Sequence, residues 1–369
     1  MNDGAPKRQI LRVITMVVCL LLFLVGLSSG GSTATFVIGP YPQQSQSDSI
    51  LISWKTATPT AKNEVHWGRS PSLGNVTEEK CRCTKTTHMI KIEGLQAGQK
   101  YYYTAVSDQI ESPLYTFWTA FPSNDTIQFV AYGDSQGVWD QWQTVLLVSQ
   151  AIEKENPAFV IKTGDLVDDG KNLKDWCDFF TASSFLHNST LYPVLGNHEN
   201  YSHLYFSFFS LPHNERWYSF DNGPVHFIGL DSNKQNRYRL AQYLWLLYDL
   251  RTHNEPFTIV FFHHPVYSSG EHGNTTILQK IWAPLFERYG VDIVFNGHDH
   301  IYERSIVNDV TYIVTGGGGA PLYDVGHSPW TIYSEKTYHY CLLTVNSSTL
   351  TCEAKKPDGE IFDLFSLSI

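Results

Sequence analysis

The strongest constraint on this chain is the way its apolar runs end. "IQFVAYGD", "AFVIKTGD", "LYPVLGNHE", "VHFIGLDSN", "FTIVFFHHP" and "VDIVFNGHDH" each read as a buried strand that stops on small, polar or titratable residues. Helical stretches lie between them, among them Trp142 to Lys154, Leu240 to Arg251 and Ile277 to Tyr289. Strands alternating with helices predict an α/β domain with its sheets covered by helices. In such domains ligands bind outside the carboxyl ends of the strands, where the loops leave the sheet together. Here those ends carry Gly133-Asp134, Gly164-Asp165, Gly196-Asn197-His198-Glu199, His263-His264-Pro265 and Gly297-His298-Asp299-His300. Polar groups at the mouth of a buried strand are costly unless something pairs with them. Glycine before four of the five sets predicts sharp turns that aim side chains at a common point.

The residue types suggest what that something is. Carboxylate, imidazole and an amide oxygen without thiolate suit Mn, Fe or Zn. The Asp, Asn and His residues at these strand ends are therefore the candidate metal ligands. A carboxylate can bridge two cations about 3.5–4 Å apart, and such pairs clamp the attacking and leaving oxygens of phosphoryl transfer. "TGGGGAP" (315–321) follows a strand but precedes no helix, so it reads as a mobile or tightly turning loop and not as a phosphate cradle.

From about Phe36 to Ala120 the pattern is all strand: "ILISWKT", "NEVHWG", "THMIKIEGL", "QKYYYTAVS" and "LYTFWTA" are short runs between turn residues. They predict a small antiparallel sandwich, with Trp54 and the Tyr101–Tyr103 cluster in its core. The domains are accordingly 35–121 (β-sandwich) and 125–369 (α/β), after a leader at 1–34. In the leader, Lys7, Arg8 and Arg12 precede an apolar run from Val13 to Leu27 and then small residues, which reads as a signal peptide or a retained signal anchor. Secretion or another extracytoplasmic location follows, with membrane attachment only if the segment is retained. Sequons at Asn75, Asn124, Asn188, Asn200, Asn274 and Asn346 agree with export and glycosylation. So would a bridge between Cys341 and Cys352, which a hairpin turning at Asn346-Ser347 places opposite each other. Cys81 and Cys83 have no zinc-site partners at usual spacing. A net charge of -10, with no basic run beyond the N-terminus, argues against a nucleic-acid partner.

The order GD, GD, GNHE, FHHP, GHDH resembles that of the calcineurin-like metallophosphoesterases. The all-β front domain with "GNHE", "QYLWLLYDL" and "GHDHIYERS" is most similar to purple acid phosphatases. The resemblance covers nearly the whole mature chain. It implies a fibronectin-like domain ahead of a catalytic domain of two facing mixed sheets flanked by helices, and two divalent or trivalent metal ions (Fe, Mn or Zn). By matching position, Asp165 would bridge the metals, Asp134 and His300 would bind one, and Asn197, His263 and His298 the other. His198 would stabilise the transition state or protonate the leaving group, and His272 would face the substrate. Two positions depart from the pattern. Asp168 in "GDLVD" stands where the family has its colour-giving tyrosine, and Gln136 in "GDSQ" where the superfamily often has a histidine. Gln136 is thus a further candidate ligand, with Asp168 or Asp169 the alternatives; a role for these aspartates in orienting ligands or water is equally open. The resemblance implies hydrolysis of phosphate monoesters. The rival readings are a phosphodiesterase or nucleotide pyrophosphatase on the same scaffold, and a secreted binding protein without catalysis.

Overall fold

The computed structural model describes residues 35–80, 83–234, 236 and 239–369; the predicted leader at 1–34 and Cys81 lie outside them. In the front domain, strands β1 (Phe36–Gln43), β2 (Ser49–Thr60) and β5 (Lys85–Glu93) form one antiparallel sheet. Strands β3 (Asn63–Gly68), β4 (Asn75–Glu78), β6 (Lys100–Ser107), β7 (Ile110–Glu111) and β8 (Tyr115–Trp118) form the other. Inward residues of the two meet in a core around Trp54, Val65, Ile90, Ile92, Tyr101, Tyr103 and Phe117. Alternation builds this core: in β5 every second residue from His88 to Ile92 is buried while its neighbours face solvent.

Beyond the front domain come β9 (Ile127–Tyr132), β10 (Phe159–Lys162), β11 (Thr190–Pro193), β12 (Tyr218–Asn222), β13 (Val225–Gly229) and β14 (Phe257–Phe261). They are followed by β15 (Ile293–Asn296), β16 (Tyr302–Val307), β17 (Val310–Thr315), β18 (Thr331–Glu335), β19 (Tyr340–Val345), β20 (Thr349–Lys355) and β21 (Ile361–Ser368). They build a six-stranded sheet in the order β11-β10-β9-β19-β20-β21 and a seven-stranded sheet in the order β12-β13-β14-β15-β17-β16-β18. Pairing is parallel through β9, β10 and β11 and through β13, β14, β15 and β17, and antiparallel at the flanks. Aromatic rings lock the sheets face to face: Phe227 of one sits edge-on to Phe129 and Phe159 of the other, at 5.1 and 5.2 Å between centroids. Helices α1 (Gln143–Glu155), α2 (Leu173–Ala182), α3 (His203–Phe208), α4 (Arg239–Thr252), α5 (Thr276–Ile281) and α6 (Ala283–Arg288) flank the sheets. The single helix predicted at 277–289 is two, broken at Trp282. No helix of the described residues is long and apolar enough to cross a membrane.

The front domain is fastened to the sheets behind it. Tyr41 donates to the Phe208 carbonyl at 2.7 Å, Tyr103 to the His187 carbonyl at 2.7 Å, and Tyr192 to the Ser45 carbonyl at 3.2 Å. The β19–β20 hairpin corrects one expectation. Asn346 caps the turn by accepting from the Ser348 and Thr349 amides, which lengthens it and shifts the register by two residues. Cys341 thus lies opposite Ala354, and Cys352 opposite Leu343. Both thiols are buried and free, so no bridge joins them. Cys83, by contrast, is disulfide-bonded.

Candidate metal centre

The carboxyl ends of the parallel strands in both sheets meet, and backbone hydrogen bonds join the loops. Ser135 donates to the Asp165 carbonyl, Gly297 to that of His263, and Gly318 to that of Gly133. The sharp turns fall elsewhere than predicted. Asp134, Asp165 and His298 themselves adopt left-handed backbone, with φ of 57°, 48° and 72°. Among the glycines that precede these residues only Gly164 does so, at 96°. Gly196 and Gly297 serve by their size: a Cβ would lie 2.0 Å from Asp165 Oδ1 and 2.3 Å from Asp134 Oδ2 respectively. Strained non-glycine backbone of this kind costs about 1–3 kcal/mol per residue and persists where the surroundings over-determine it. The "TGGGGAP" loop is tightly packed: Ala320 donates to the Asp134 carbonyl, and a Cβ on Gly316 would lie 2.1 Å from the Asp299 carbonyl.

The predicted ligands lie in two sets of contacts. In one, His263 Nε2 lies 3.1 Å from Asp165 Oδ2, 2.9 Å from Asn197 Oδ1 and 3.1 Å from His298 Nδ1. In the other, His300 Nε2 stands 3.7 Å from Asp134 Oδ1; Gln136 Nε2, separately, is 3.0 Å from Asp165 Oδ2. Carbonyl acceptors fix the imidazoles. His263 Nδ1–H donates to Thr163 at 3.0 Å and His300 Nδ1–H to Pro321 at 2.8 Å, which leaves each Nε2 with a lone pair turned into the cluster. Buried Gln136 Oε1 has no hydrogen-bond partner, and exchanging the amide ends brings that oxygen to the Asp165 side. A donor set of this chemistry, with Asp165, His263 and His298 donor atoms all within 4.8 Å of one another, fits a metal pair.

Electrostatics agree. Burial raises the Asp134 carboxyl well above its ordinary range. Burial would raise Asp165 too, but His263 and His198 together outweigh it and draw that carboxyl below its ordinary range. His263 is raised by Asp165 against the effect of burial, whereas burial and His263 lower His264 to about 3. Cations would relieve such mutual dependence among buried charges.

The two candidate catalytic histidines are both drawn into the cluster. His198 donates from Nδ1 to the Asp168 carbonyl at 2.6 Å, and its Nε2 lies 3.9 Å from Asp165 Oδ2. Exposed His272 lays its ring on that of His298, 4.3 Å between centroids and 26° from parallel, and its amide donates to Asp299 Oδ1 at 2.8 Å. The side chains of Asp168 and Asp169 are exposed; Asp168 contributes its carbonyl, and Asp169 accepts from the Lys171 amide. The two tyrosines nearest the ligands in sequence are placed differently, and the buried Tyr132 hydroxyl has no hydrogen-bond partner. Tyr201 donates to Asp231 at 2.8 Å, and Tyr132 lies with its ring 3.9 Å from Lys162 Nζ.

Three buried residues carry roles that sequence reading left unassigned. Glu199 accepts from the amides of Asp165, Leu166 and Gly196 at 3.0, 2.7 and 2.7 Å, tying the second loop to the third. Asp299 accepts from Ser268 Oγ at 2.5 Å and holds the His272 segment. Lys162 is buried at the end of β10 with no hydrogen-bond partner, and burial lowers its ammonium to about 7. Its signal was legible: a lysine closing the apolar run "FVIK", near Gly164-Asp165, has no reason to be there as packing.

Three family models match the chain in succession: "Purple acid Phosphatase, N-terminal domain" over 40–119, "Calcineurin-like phosphoesterase" over 127–302, and "Iron/zinc purple acid phosphatase-like protein C" over 310–364. The chain is 27% identical to a purple acid phosphatase of Glycine max, over 75% of this chain and 67% of that one. It is 28% identical to purple acid phosphatase 21 of Arabidopsis thaliana, over 83% and 79%. The solved structure of purple acid phosphatase PPD1 from yellow lupin (Lupinus luteus) seeds superposes with a TM-score of 0.75 at 21% identity, over 89% of this chain and 74% of that one. At that identity the likeness speaks for the fold.

Proposed function

The chain belongs to the calcineurin-like metallophosphoesterases, on their purple acid phosphatase side, and is a metal-dependent phosphoester hydrolase; from that premise we propose that it hydrolyses phosphate monoesters outside the cytosol. The observation that carries the proposal is buried Asp165, whose Oδ2 lies 3.1 Å from His263 Nε2 and 3.0 Å from Gln136 Nε2, with His198 Nε2 3.9 Å away. We assign one metal to Asp134, His300 and Gln136, the other to Asn197, His263 and His298, and both to Asp165. Such a pair supplies positive charge where a phosphoryl group gathers its negative charge.

The chain's own residues do the rest. His198 is aimed by the Asp168 carbonyl so that Nε2 can give a proton to the departing alkoxide. Its backbone amide also donates to Asp165 Oδ1 at 2.9 Å, so one residue positions both the bridging carboxylate and the acid. His272, exposed over His298 and held by Asp299, is placed to meet the phosphoryl oxygens. The names of the relatives support a monoester reading: besides the purple acid phosphatases, a phosphoenolpyruvate phosphatase of Allium cepa is 26% identical over 75% of this chain. Export is supported by the leader read at 1–34, by the bonded Cys83 and by sequons whose asparagines all reach the surface. The test is turnover of phenyl phosphate against bis-p-nitrophenyl phosphate on one metal-loaded preparation. Preference for the monoester supports the proposal; preference for the diester would replace it with a phosphodiesterase.

A further inference from the structure

A second imidazole–carboxylate cluster lies at the opposite end of the seven-stranded sheet. His226 is the second residue of β13 and pairs across the hairpin with Asp221 of β12. A strand length separates it from the loops of the candidate metal centre at the carboxyl end of β13. His226 Nδ1 is 2.5 Å from Asp221 Oδ1, and Glu255, in the loop that leads into β14, joins them: donor atoms of all three lie within 4.8 Å of one another. The other ring nitrogen is spoken for. His226 Nε2 is 2.8 Å from Asp249 Oδ2 in the last turn of α4, and Asp249 Oδ1 in turn accepts from Ser219 Oγ at 2.7 Å. Asp249, itself anchored, takes the Nε2–H, so a cation that displaces the Nδ1 proton would find that nitrogen facing Asp221 and Glu255. That is the arrangement by which an outer carboxylate orients a metal-binding histidine.

We propose that a zinc ion binds between Asp221, His226 and Glu255, fastening the β12–β13 edge hairpin to the loop between α4 and β14. Three features favour it. The donors are one imidazole and two carboxylates, a set zinc accepts with water completing a tetrahedron. Buried His226 is fixed while Asp221 is exposed, so Asp221 can open the contact to the spacing that bonds of about 2.0–2.2 Å require. Asp221, Asp249 and Glu255 also bring three carboxylates to one imidazole, an excess that a divalent cation offsets more fully than a single proton on His226. His253 stacks on His226 at 4.4 Å, 2° from parallel.

The experiment counts zinc. Chelator-stripped protein is reloaded with zinc alone, desalted and analysed for metal per chain. Wild type should carry one zinc more than Glu255→Gln or His226→Ala, and both variants should hydrolyse phosphate esters within about twofold of wild type. Asp165→Ala should keep this zinc while losing metal from the candidate centre, so the count does not depend on the proposed function. Equal zinc in wild type and Glu255→Gln, a surface change that leaves the core intact, would overturn the proposal and leave a proton as the occupant of His226.

Discussion

Replacing Glu199 tests whether the metal-binding loops are held from beneath. Its buried carboxylate accepts three backbone amides, from Asp165, Leu166 and Gly196, and so fixes the left-handed turn at Asp165 against the loop that carries Asn197 and His198. Each buried amide left without an acceptor costs about 1–3 kcal/mol, so Glu199→Ala should lose about 3–6 kcal/mol even with relaxation. Glu199→Gln should lose less. With its carbonyl at the Oε2 position it still accepts from Asp165 and Gly196, while its NH2 faces the Leu166 amide, a loss of about 1–3 kcal/mol. Because outer groups of this kind orient the ligands, metal affinity should fall about 10–100-fold in the glutamine variant. The assay is urea denaturation followed by tryptophan fluorescence, with metal content measured on the same samples. A Glu199→Ala protein with the wild-type midpoint and metal content would refute the clamp.

Asp165→Ala should abolish turnover and empty both sites of the candidate centre, read by elemental analysis beside an ester assay. His198→Ala should keep its metals yet slow phenyl phosphate hydrolysis about 10²-fold or more, with a smaller loss for p-nitrophenyl phosphate, whose leaving group needs little protonation. Equal losses on the two esters would exclude an acid role. Iron-loaded, aerobically oxidised protein should show no strong visible charge-transfer band, because Gln136 and Asp168 are not phenolates and the hydroxyl of Tyr201 is committed to Asp231. Gln136→Ala should weaken one metal and Gln136→His restore it, whereas Asp168→Ala, which keeps the carbonyl under His198, should lose little; the reverse pattern in metal content would reassign the ligand.

The strands and the site were legible because both are written locally. A buried strand needs an apolar run, and a ligand loop needs a small residue and a titratable one after it, so "VAYGD" and "VFNGHDH" announce themselves. What sequence could not give was tertiary. Whether a glycine serves by its φ or by its missing Cβ depends on which side chain arrives from another loop, as Asp165 does at Gly196. The cysteine pair failed for a related reason. Asn346 accepts two amides and lengthens the turn, and a two-residue shift parts Cys341 from Cys352 while keeping both inside. Glu199 was visible in "GNHE", but its partners Asp165 and Leu166 lie more than thirty residues away, where no local pattern reaches.

The most direct test of the account is a metal titration of chelator-stripped wild type beside Asp165→Ala, following phenyl phosphate turnover and bound metal together. Turnover should rise as wild type takes up two equivalents more than the variant and level off there, with the variant inactive throughout. Full activity at no excess of metal over Asp165→Ala, or turnover in the variant itself, would contradict a metal pair held by a shared Asp165.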